Sequence, residues 1–235
     1  MAEMLALPTL LRQAGAAMIF RDGRAVPAHY GSAPGELAVC MRSVGIAHRP
    51  DLAALSISGS ARGLDQLLAR VVGRDVAPGG ATLEGGAWWC RSNSNPEIVV
   101  ICRRGSVPRL IRSLRFGVSG FGSARLADDS EERVVFNIIG RRTEAVLAEL
   151  GGLGPEQDPR DVTPYSVGSI KGHAVRLLIE GSTGAFVLVA PASTADVWQA
   201  IQEAGRPHGI SCVGLEAIER YALLERAARG SMALL

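Results

Sequence analysis

Three stretches of the chain repeat one hydrophobic pattern: an apolar run, then a glycine or a polar turn, then apolar residues at every third or fourth position. They cover residues 54–73, 134–152 and 185–205. An apolar run rich in β-branched residues is typical of a buried strand, and the spacing of three and four is typical of an amphipathic helix. Each stretch is therefore predicted to be a strand followed by a helix, with Ser193 or Thr194 capping the third helix.

Polar and glycine-rich turns divide the remaining apolar runs and predict hairpins between these units. A strand is predicted on each side of the turn 92–95, and two or three strands are predicted within 166–190. The second region contains the sequence GSTG at 181–184, which resembles a phosphate-binding loop at first sight. It lacks the Lys-Ser/Thr pair of such a loop and precedes a strand instead of a helix, so a tight hairpin turn is predicted.

Residues 213–230 form the last amphipathic pattern and predict a final helix. Its apolar face is predicted to hold Leu215, Ile218, Ala222 and Leu223. Segment 152–164 is rich in Gly, Pro and charged residues and is the predicted linker. Because hairpins lie between the helices, the pattern favours an α+β fold of two similar strand–helix–hairpin halves, with mostly antiparallel sheets flanked by helices. The predicted halves are residues 1–126, which include the N-terminal segment, and 127–235.

Composition and charge narrow the function classes. The chain has 235 residues, of which 47% are hydrophobic, and this is enough for a sizeable core. A formal charge of +2 gives no electrostatic reason to expect nucleic acid as a partner. No run approaches the 18 or so apolar residues of a membrane span, and the N-terminus lacks the basic start of a secretory signal, so neither is expected. Four scattered cysteines without a Cys-x-x-Cys motif favour reduced thiols and a cytoplasmic location.

Most familiar catalytic and metal motifs are missing. The histidines are not spaced as a metal-ligand pattern, so no metal is predicted; they are His29, His48, His173 and His208. The absence of G-x-S-x-G argues against a serine hydrolase. No catalytic residue is assigned from the sequence.

The pair Trp88-Trp89 is the most distinctive aromatic feature. Successive side chains of a strand point to opposite faces, so one indole is predicted to enter the core. The other is then predicted to face a cleft, a partner or solvent. A flat aromatic surface of this kind can stack on a planar ligand such as a pterin.

Three stretches, 26–59, 134–150 and 182–230, follow the order of motifs of a known family. The first is similar to an opening P-x-x-Y-G, the second to a strand that ends in L-x-x-Q-G-P, and the third to T-G-E-x-G-F-E-L followed by W-x-A-L-x-x-A-G. Together they resemble the glycine-cleavage T-protein (aminomethyltransferase) superfamily of tetrahydrofolate-binding proteins. That superfamily includes folate-dependent demethylases and the small gamma subunit of heterotetrameric sarcosine oxidase. The resemblance implies the aminomethyltransferase fold and a central ligand cavity.

The chain departs from the family pattern at functional positions. The hairpin that carries Gly-x-x-x-Asp-Asp in catalytic members is shortened here to 83–100 and has no aspartate, with Glu84 as the only acid near its start. The glutamate of Gly-Phe-Glu-Leu, which the family uses to hold the pterin, is replaced by Val187. The family's helix arginine falls near Ala222, with Arg226 one turn later. The chain also ends where the family's C-terminal β-barrel domain would begin, so a short form without that domain is expected.

Three hypotheses remain open on this basis. The first is a protein of one-carbon or demethylation metabolism that binds tetrahydrofolate, with no metal. Its ligand-binding candidates are Trp88, Trp89, Arg91, Glu84, Glu180, Val187 and Arg226. The second is a non-catalytic gamma-type subunit that docks on a larger oxidase chain or pairs with itself. The third is a diverged enzyme that acts on another small molecule without folate.

Overall fold

The computed structural model describes residues 7–118, 124–151 and 164–232. Within these ranges the chain forms seven α-helices and thirteen strands. The helices are α1 (Leu7–Gln13), α2 (Ala33–Arg42), α3 (Ala61–Val71), α4 (Val107–Val118), α5 (Thr143–Glu149), α6 (Thr194–Gly205) and α7 (Leu215–Met232). The strands are β1 (Ala17–Arg21), β2 (Arg24–His29), β3 (Val44–His48), β4 (Leu52–Ser58), β5 (Ala81–Glu84), β6 (Ala87–Arg91), β7 (Glu97–Arg103), β8 (Arg125–Asp128), β9 (Val134–Ile139), β10 (Tyr165–Ile170), β11 (His173–Glu180), β12 (Gly184–Val189) and β13 (Ile210–Cys212).

Local sequence explains where the elements begin and end, as α3 illustrates. The hydroxyl of Ser60 accepts the backbone N–H of Gly63 at 3.2 Å and caps the first turn. Leu64, Leu67 and Leu68 follow at helical spacing and are almost completely buried. Gly73 then adopts φ +75°, the left-handed conformation that commonly stops a helix.

Two sheets form the centre of the fold. The larger has the order β10-β11-β12-β9-β3-β13 and is antiparallel except for the β3–β13 pair. The smaller has the order β5-β6-β7-β4-β8 and is antiparallel throughout. Strands β1 and β2 form a separate antiparallel ribbon.

The buried apolar residues divide into layers that follow these sheets. One cluster lies between the two sheets and contains side chains from both, among them Val99 and Leu188. A second lies between the smaller sheet and helices α3 and α4. A third lies between the larger sheet and helices α1, α5 and α6. Helices α2 and α7 pack together against the ends of β3 and β9. The result is two sheets face to face with helices on their outer sides.

The predicted fold class is confirmed, since mostly antiparallel sheets are flanked by helices. The three strand–helix units are β4–α3, β9–α5 and β12–α6, and region 166–190 contains three strands. The turn at 181–184 is a tight hairpin turn, with Gly181 at φ +63°. Residues 152–163 of the predicted linker lie outside the described residues.

Two parts of the sequence-based description differ from the structure. The prediction that Leu223 lies on the buried face of α7 is wrong, because 59% of this residue is exposed. At 3.6 residues a turn, Leu223 lies about 200° around the helix from Tyr221, which is buried. Helices α1, α2 and α4 were absent from the predicted elements.

The predicted halves are joined through the larger sheet. Strand β3 belongs to residues 1–126, yet it pairs with β9 and β13 from residues 127–235. The division into two halves stays a prediction.

Candidate functional site

The two adjacent tryptophans of β6 point to opposite sides of the smaller sheet. Trp89 is 3% exposed, packs on the helix side, and donates its indole N–H to the Glu84 carbonyl at 3.3 Å. Trp88 is half-buried and packs against the cluster between the sheets. Trp88 is therefore the indole that faces the interior shared by both sheets, while Trp89 is part of the outer core.

Arg91 and Glu84 also lie at the smaller sheet, but away from the layer between the sheets. Arg91 is 4% exposed and donates to the Asp65 carboxylate at 2.5 Å and to the Ala61 carbonyl at 3.4 Å, both in α3. Its guanidinium thus fastens β6 to the first turns of that helix. Glu84 ends β5 and forms an exposed ion pair with Arg74 at 3.3 Å.

Val187, which the resemblance predicts to stand in place of a glutamate, lies in the middle of β12 and is 0% exposed. Its cross-strand partners are Leu177 and Phe136, and all three belong to the cluster beneath α5 and α6. The neighbouring Phe186 and Leu188 point the other way, into the layer between the sheets. The side chain at position 187 is therefore directed toward the helices and not toward the space between the sheets.

Glu180 and Arg226 both belong to the region where the 181–184 turn contacts α7. Glu180 ends β11 and is half-buried, immediately before that turn. Thr183 in the turn donates its hydroxyl to Glu225 of α7 at 3.5 Å. The next residue, Arg226, donates to the Ala222 carbonyl of its own helix at 3.1 Å. This end of α7 is exposed and charged, and the β11–β12 turn lies against it.

The seven predicted ligand-binding residues are consequently spread over separate parts of the fold. Trp88 faces the layer between the sheets, Trp89 and Arg91 face α3, and Val187 faces α5 and α6. Glu84 lies at a hairpin end, and the remaining two lie at the β11–β12 turn and on α7. The structure does not gather these seven side chains into one cluster.

Asn137 is a buried polar side chain that the sequence analysis did not single out. It lies in β9, is 1% exposed, and shares a strand face with Val135 of the layer between the sheets. Its Nδ2 donates to the Ala185 carbonyl at 3.0 Å, while its Oδ1 has no hydrogen-bond partner among the described residues. An unpaired buried acceptor costs about 1–3 kcal/mol. The lone asparagine within the apolar run 134–139 was a signal that could have found it.

Arg49 and Asp51 form a buried ion pair where the chain crosses from one sheet to the other. Arg49 Nε and Nη2 donate to the two carboxylate oxygens of Asp51 at 2.8 and 2.7 Å. Burial alone raises the pKa of Asp51, but the hydrogen bonds and charge of Arg49 outweigh it, so that the pKa lies below its ordinary value. The backbone N–H of Arg49 binds Val135 in the larger sheet, and the Asp51 carbonyl accepts from Arg104 beside the smaller sheet. The ion pair therefore stabilises the segment that connects the two sheets.

An open cleft of about 280 Å³ lies beside this crossing. It is lined by Arg104, Val107, Pro108, Asp128, Ser130 and Glu131. Arg104 forms an ion pair with Glu131 at 2.7 Å, and the Asp128 carboxylate accepts the Ser130 N–H at 3.1 Å. The described residues contain no group of three or more His, Cys, Asp and Glu side chains placed to hold a metal ion. None of the described helices has the length and apolar character needed to cross a membrane.

Comparison with known proteins identifies the fold. No protein-family model and no curated protein sequence matches the chain. Among solved structures, the aminomethyltransferase T of the glycine cleavage system from Bartonella henselae is similar over 92% of this chain and 61% of its own, with a TM-score of 0.71 and 16% identity. A chain of the heterotetrameric sarcosine oxidase from Corynebacterium sp. U-96 is similar over 77% of this chain and 94% of its own, with a TM-score of 0.59 and 19% identity. The protein therefore has the aminomethyltransferase fold and spans less than two thirds of the length of that enzyme.

Proposed function

We propose that this protein is a subunit that uses the aminomethyltransferase fold to dock on a larger oxidase-type chain. The observation that carries the proposal is the exposed apolar edge of the β1–β2 ribbon, on a chain whose fold is similar over 77% of its length to a chain of heterotetrameric sarcosine oxidase. The dispersal of the seven predicted ligand-binding residues supports it. So does the fully buried, helix-facing valine at position 187, where an acid in this family would hold the pterin.

The β1–β2 ribbon supplies a surface that suits docking. Met18, Ile19 and Phe20 are consecutive in β1 and are 42%, 40% and 85% exposed. Strand β1 pairs with β2 on one side, and no other described strand pairs with it. Exposed apolar strand edges are rare in soluble proteins unless a partner covers them.

The ribbon is held firmly enough to present this surface. Arg21 forms an ion pair with Glu219 of α7 at 2.5 Å. Arg24 forms a second ion pair with Glu131, which follows β8. Val26, which belongs to β2 of the ribbon itself, is completely buried. A two-stranded ribbon is marginally stable by itself, so these anchors fix its position on the body of the protein.

Purification of the tagged full-length chain from its own cells tests the proposal. We expect a larger, flavin-containing chain to co-elute in a fixed molar ratio, identified by mass spectrometry and by flavin absorbance. The Phe20→Asp variant should lose this chain because a carboxylate replaces the most exposed aromatic ring of β1. Leu83→Asp is the matched control, since Leu83 is 51% exposed on the smaller sheet and far from the ribbon in the sequence. Elution of the wild-type chain alone, or retention of the partner by Phe20→Asp, would overturn the proposal.

A second candidate function is binding of a tetrahydrofolate in one-carbon metabolism. It is favoured by the extent of the fold similarity to the aminomethyltransferase, over 92% of this chain. It is also favoured by the unpaired Oδ1 of Asn137, which lies in the larger sheet and shares a strand face with Val135 of the layer against which Trp88 packs. Calorimetric titration with tetrahydrofolate and 5-formyltetrahydrofolate tests it. Binding that is lost in Asn137→Leu and Trp88→Ala would support this function, whereas no heat at millimolar ligand excludes it. A cytoplasmic location, which the four free cysteines favour, belongs to either proposal.

A further inference from the structure

Three polar side chains outside the regions described above lie next to one another. His173 is the first residue of β11, Ser193 immediately precedes α6, and Asp196 lies in the first turn of that helix. The Ser193 hydroxyl is 3.0 Å from His173 Nδ1. The other ring nitrogen, Nε2, is 3.2 Å from Asp196 Oδ2.

The contact with Asp196 favours one direction for the hydrogen bond between Ser193 and His173. A carboxylate 3.2 Å from Nε2 favours the neutral imidazole tautomer that carries its proton on that nitrogen. The Nδ1 lone pair is then the acceptor, and Ser193 donates its hydroxyl proton to it. This order, hydroxyl to imidazole to carboxylate, is the arrangement by which a general base activates a serine nucleophile.

The conformation of Ser193 is unusual for its position and leaves its hydroxyl available. It occupies the N-cap position of α6, with φ −103° and ψ 6°, but its side chain makes no capping hydrogen bond. Serine at this position normally caps the helix. The neighbouring Thr194 hydroxyl does not cap the helix either, because it donates to the carbonyls of Pro191 and Ala190, at 2.7 and 3.3 Å.

The two elements that carry the three residues are also held together. Ser193 and Asp196 are three residues apart at the start of one helix, so they face the same side. His173 follows a turn in which Lys171 adopts φ +48° and binds Glu203 farther along α6. That ion pair keeps the start of β11 against the helix.

We propose that Ser193, His173 and Asp196 form a hydrolytic site for small activated esters. Ser193 Oγ attacks the ester carbonyl carbon while His173 takes the hydroxyl proton, and His173 then gives that proton to the departing alcohol as the C–O bond breaks. Water attacks the acyl-serine in the second half of the reaction, its proton passes through His173 to the serine oxygen, and a carboxylic acid is released. Asp196 is a positioning residue that fixes the tautomer of the imidazole.

The exposure of the cluster limits the substrate. The side chains of His173 and Asp196 are 31% and 34% exposed, and neither lines the cleft beside Arg104 and Glu131. An ester must therefore reach Ser193 from open solvent, which favours small substrates with good leaving groups. The absence of G-x-S-x-G argues against the hydrolases that carry their serine in that motif, on a strand-to-helix turn. Serine–histidine–carboxylate constellations without the motif are recognised by geometry and recur on unrelated folds.

Hydrolysis of p-nitrophenyl acetate by the full-length protein, together with labelling by a fluorophosphonate, tests the proposal. We expect the label on Ser193 by peptide mass spectrometry, and a protein-dependent rate that falls at least about tenfold in Ser193→Ala and in His173→Gln. Ser182→Ala removes an exposed hydroxyl from the β11–β12 turn and should leave both readouts unchanged. Asp196→Asn should lower kcat more than it raises KM, and Asp196→Glu should restore part of kcat.

Thermal melts that match the wild type show that each variant is folded, so that a loss of rate reports on chemistry. A label on any other residue would overturn the proposal. Ester hydrolysis by Ser193→Ala at the wild-type rate would also overturn it.

Discussion

Replacing Val187 by glutamate introduces the acid that the sequence resemblance predicts at this position and tests the direction of the side chain. Val187 is completely buried between Leu177 and Phe136 in the apolar layer beneath α5 and α6. A glutamate there avoids burying its charge by staying protonated, which costs about 4 kcal/mol at pH 7 because each pH unit above its ordinary pKa of about 4.3 costs about 1.4 kcal/mol. The larger side chain adds about 1–3 kcal/mol of overpacking. The total of roughly 5–7 kcal/mol is comparable to the whole stability of many domains.

Urea unfolding followed by tryptophan fluorescence measures this cost, since Trp198 lies in the same cluster as Val187. Val187→Gln is the matched control because it has similar size but no titrating group. The folded-state pKa of the new glutamate is raised, so its stability is highest below the unfolded pKa and is lost as pH rises. The difference between the two variants should therefore shrink by about 3 kcal/mol from pH 7 to pH 5. Equal unfolding free energies for both variants at both pH values would show that position 187 faces water or a ligand, and the packing argument would be wrong.

Two further substitutions test the contacts that join parts of the fold. Asp51→Ala should destabilise the protein by about 3–5 kcal/mol at pH 7, because it leaves the buried Arg49 guanidinium unpaired. Since the pKa of Asp51 is lowered by folding, this difference should narrow below about pH 4 in unfolding experiments, and a pH-independent difference would contradict the ion-pair explanation. Gly214→Ala places a Cβ 2.1 Å from the Ala28 carbonyl oxygen, so a lower melting temperature is expected. The matched variant Gly35→Ala places its Cβ 3.5 Å from the nearest atom and should melt near the wild-type temperature. Equal melting temperatures for the two glycine variants would refute the close approach of β2 to the start of α7.

The hydrophobic pattern predicted three strand–helix units, the hairpins between them and the last helix. Particular residues show which features of the fold it did not predict. The opposite orientations of Trp88 and Trp89 follow from strand geometry alone. Which of them enters the outer core depends on α3 and α4, which pack on one face of the smaller sheet. The spacing of Leu110, Ile111 and Leu114 is itself helical, so α4 was within reach of the pattern although it is absent from the predicted elements.

The candidate sites depended more strongly on tertiary structure. Every residue of β12 is buried, so no alternation of apolar and polar positions reveals which face Val187 occupies. Ser193 or Thr194 was predicted as the cap of α6 because these residue types at a helix start usually have that role. The contact of Ser193 with His173 arises only when β11 lies beside α6, and no local spacing encodes that contact.

The position of β3 determines when the protein can finish folding during synthesis. This strand leaves the ribosome early, but its partners in the larger sheet are Val134–Ile139 and Ile210–Cys212, which emerge much later. Pairing between segments so distant in sequence closes large loops, and such topologies fold slowly. Until the C-terminal region has been synthesised, the nascent chain therefore carries the apolar strand Val44–His48 with at least one edge unpaired, the kind of intermediate that needs chaperone protection.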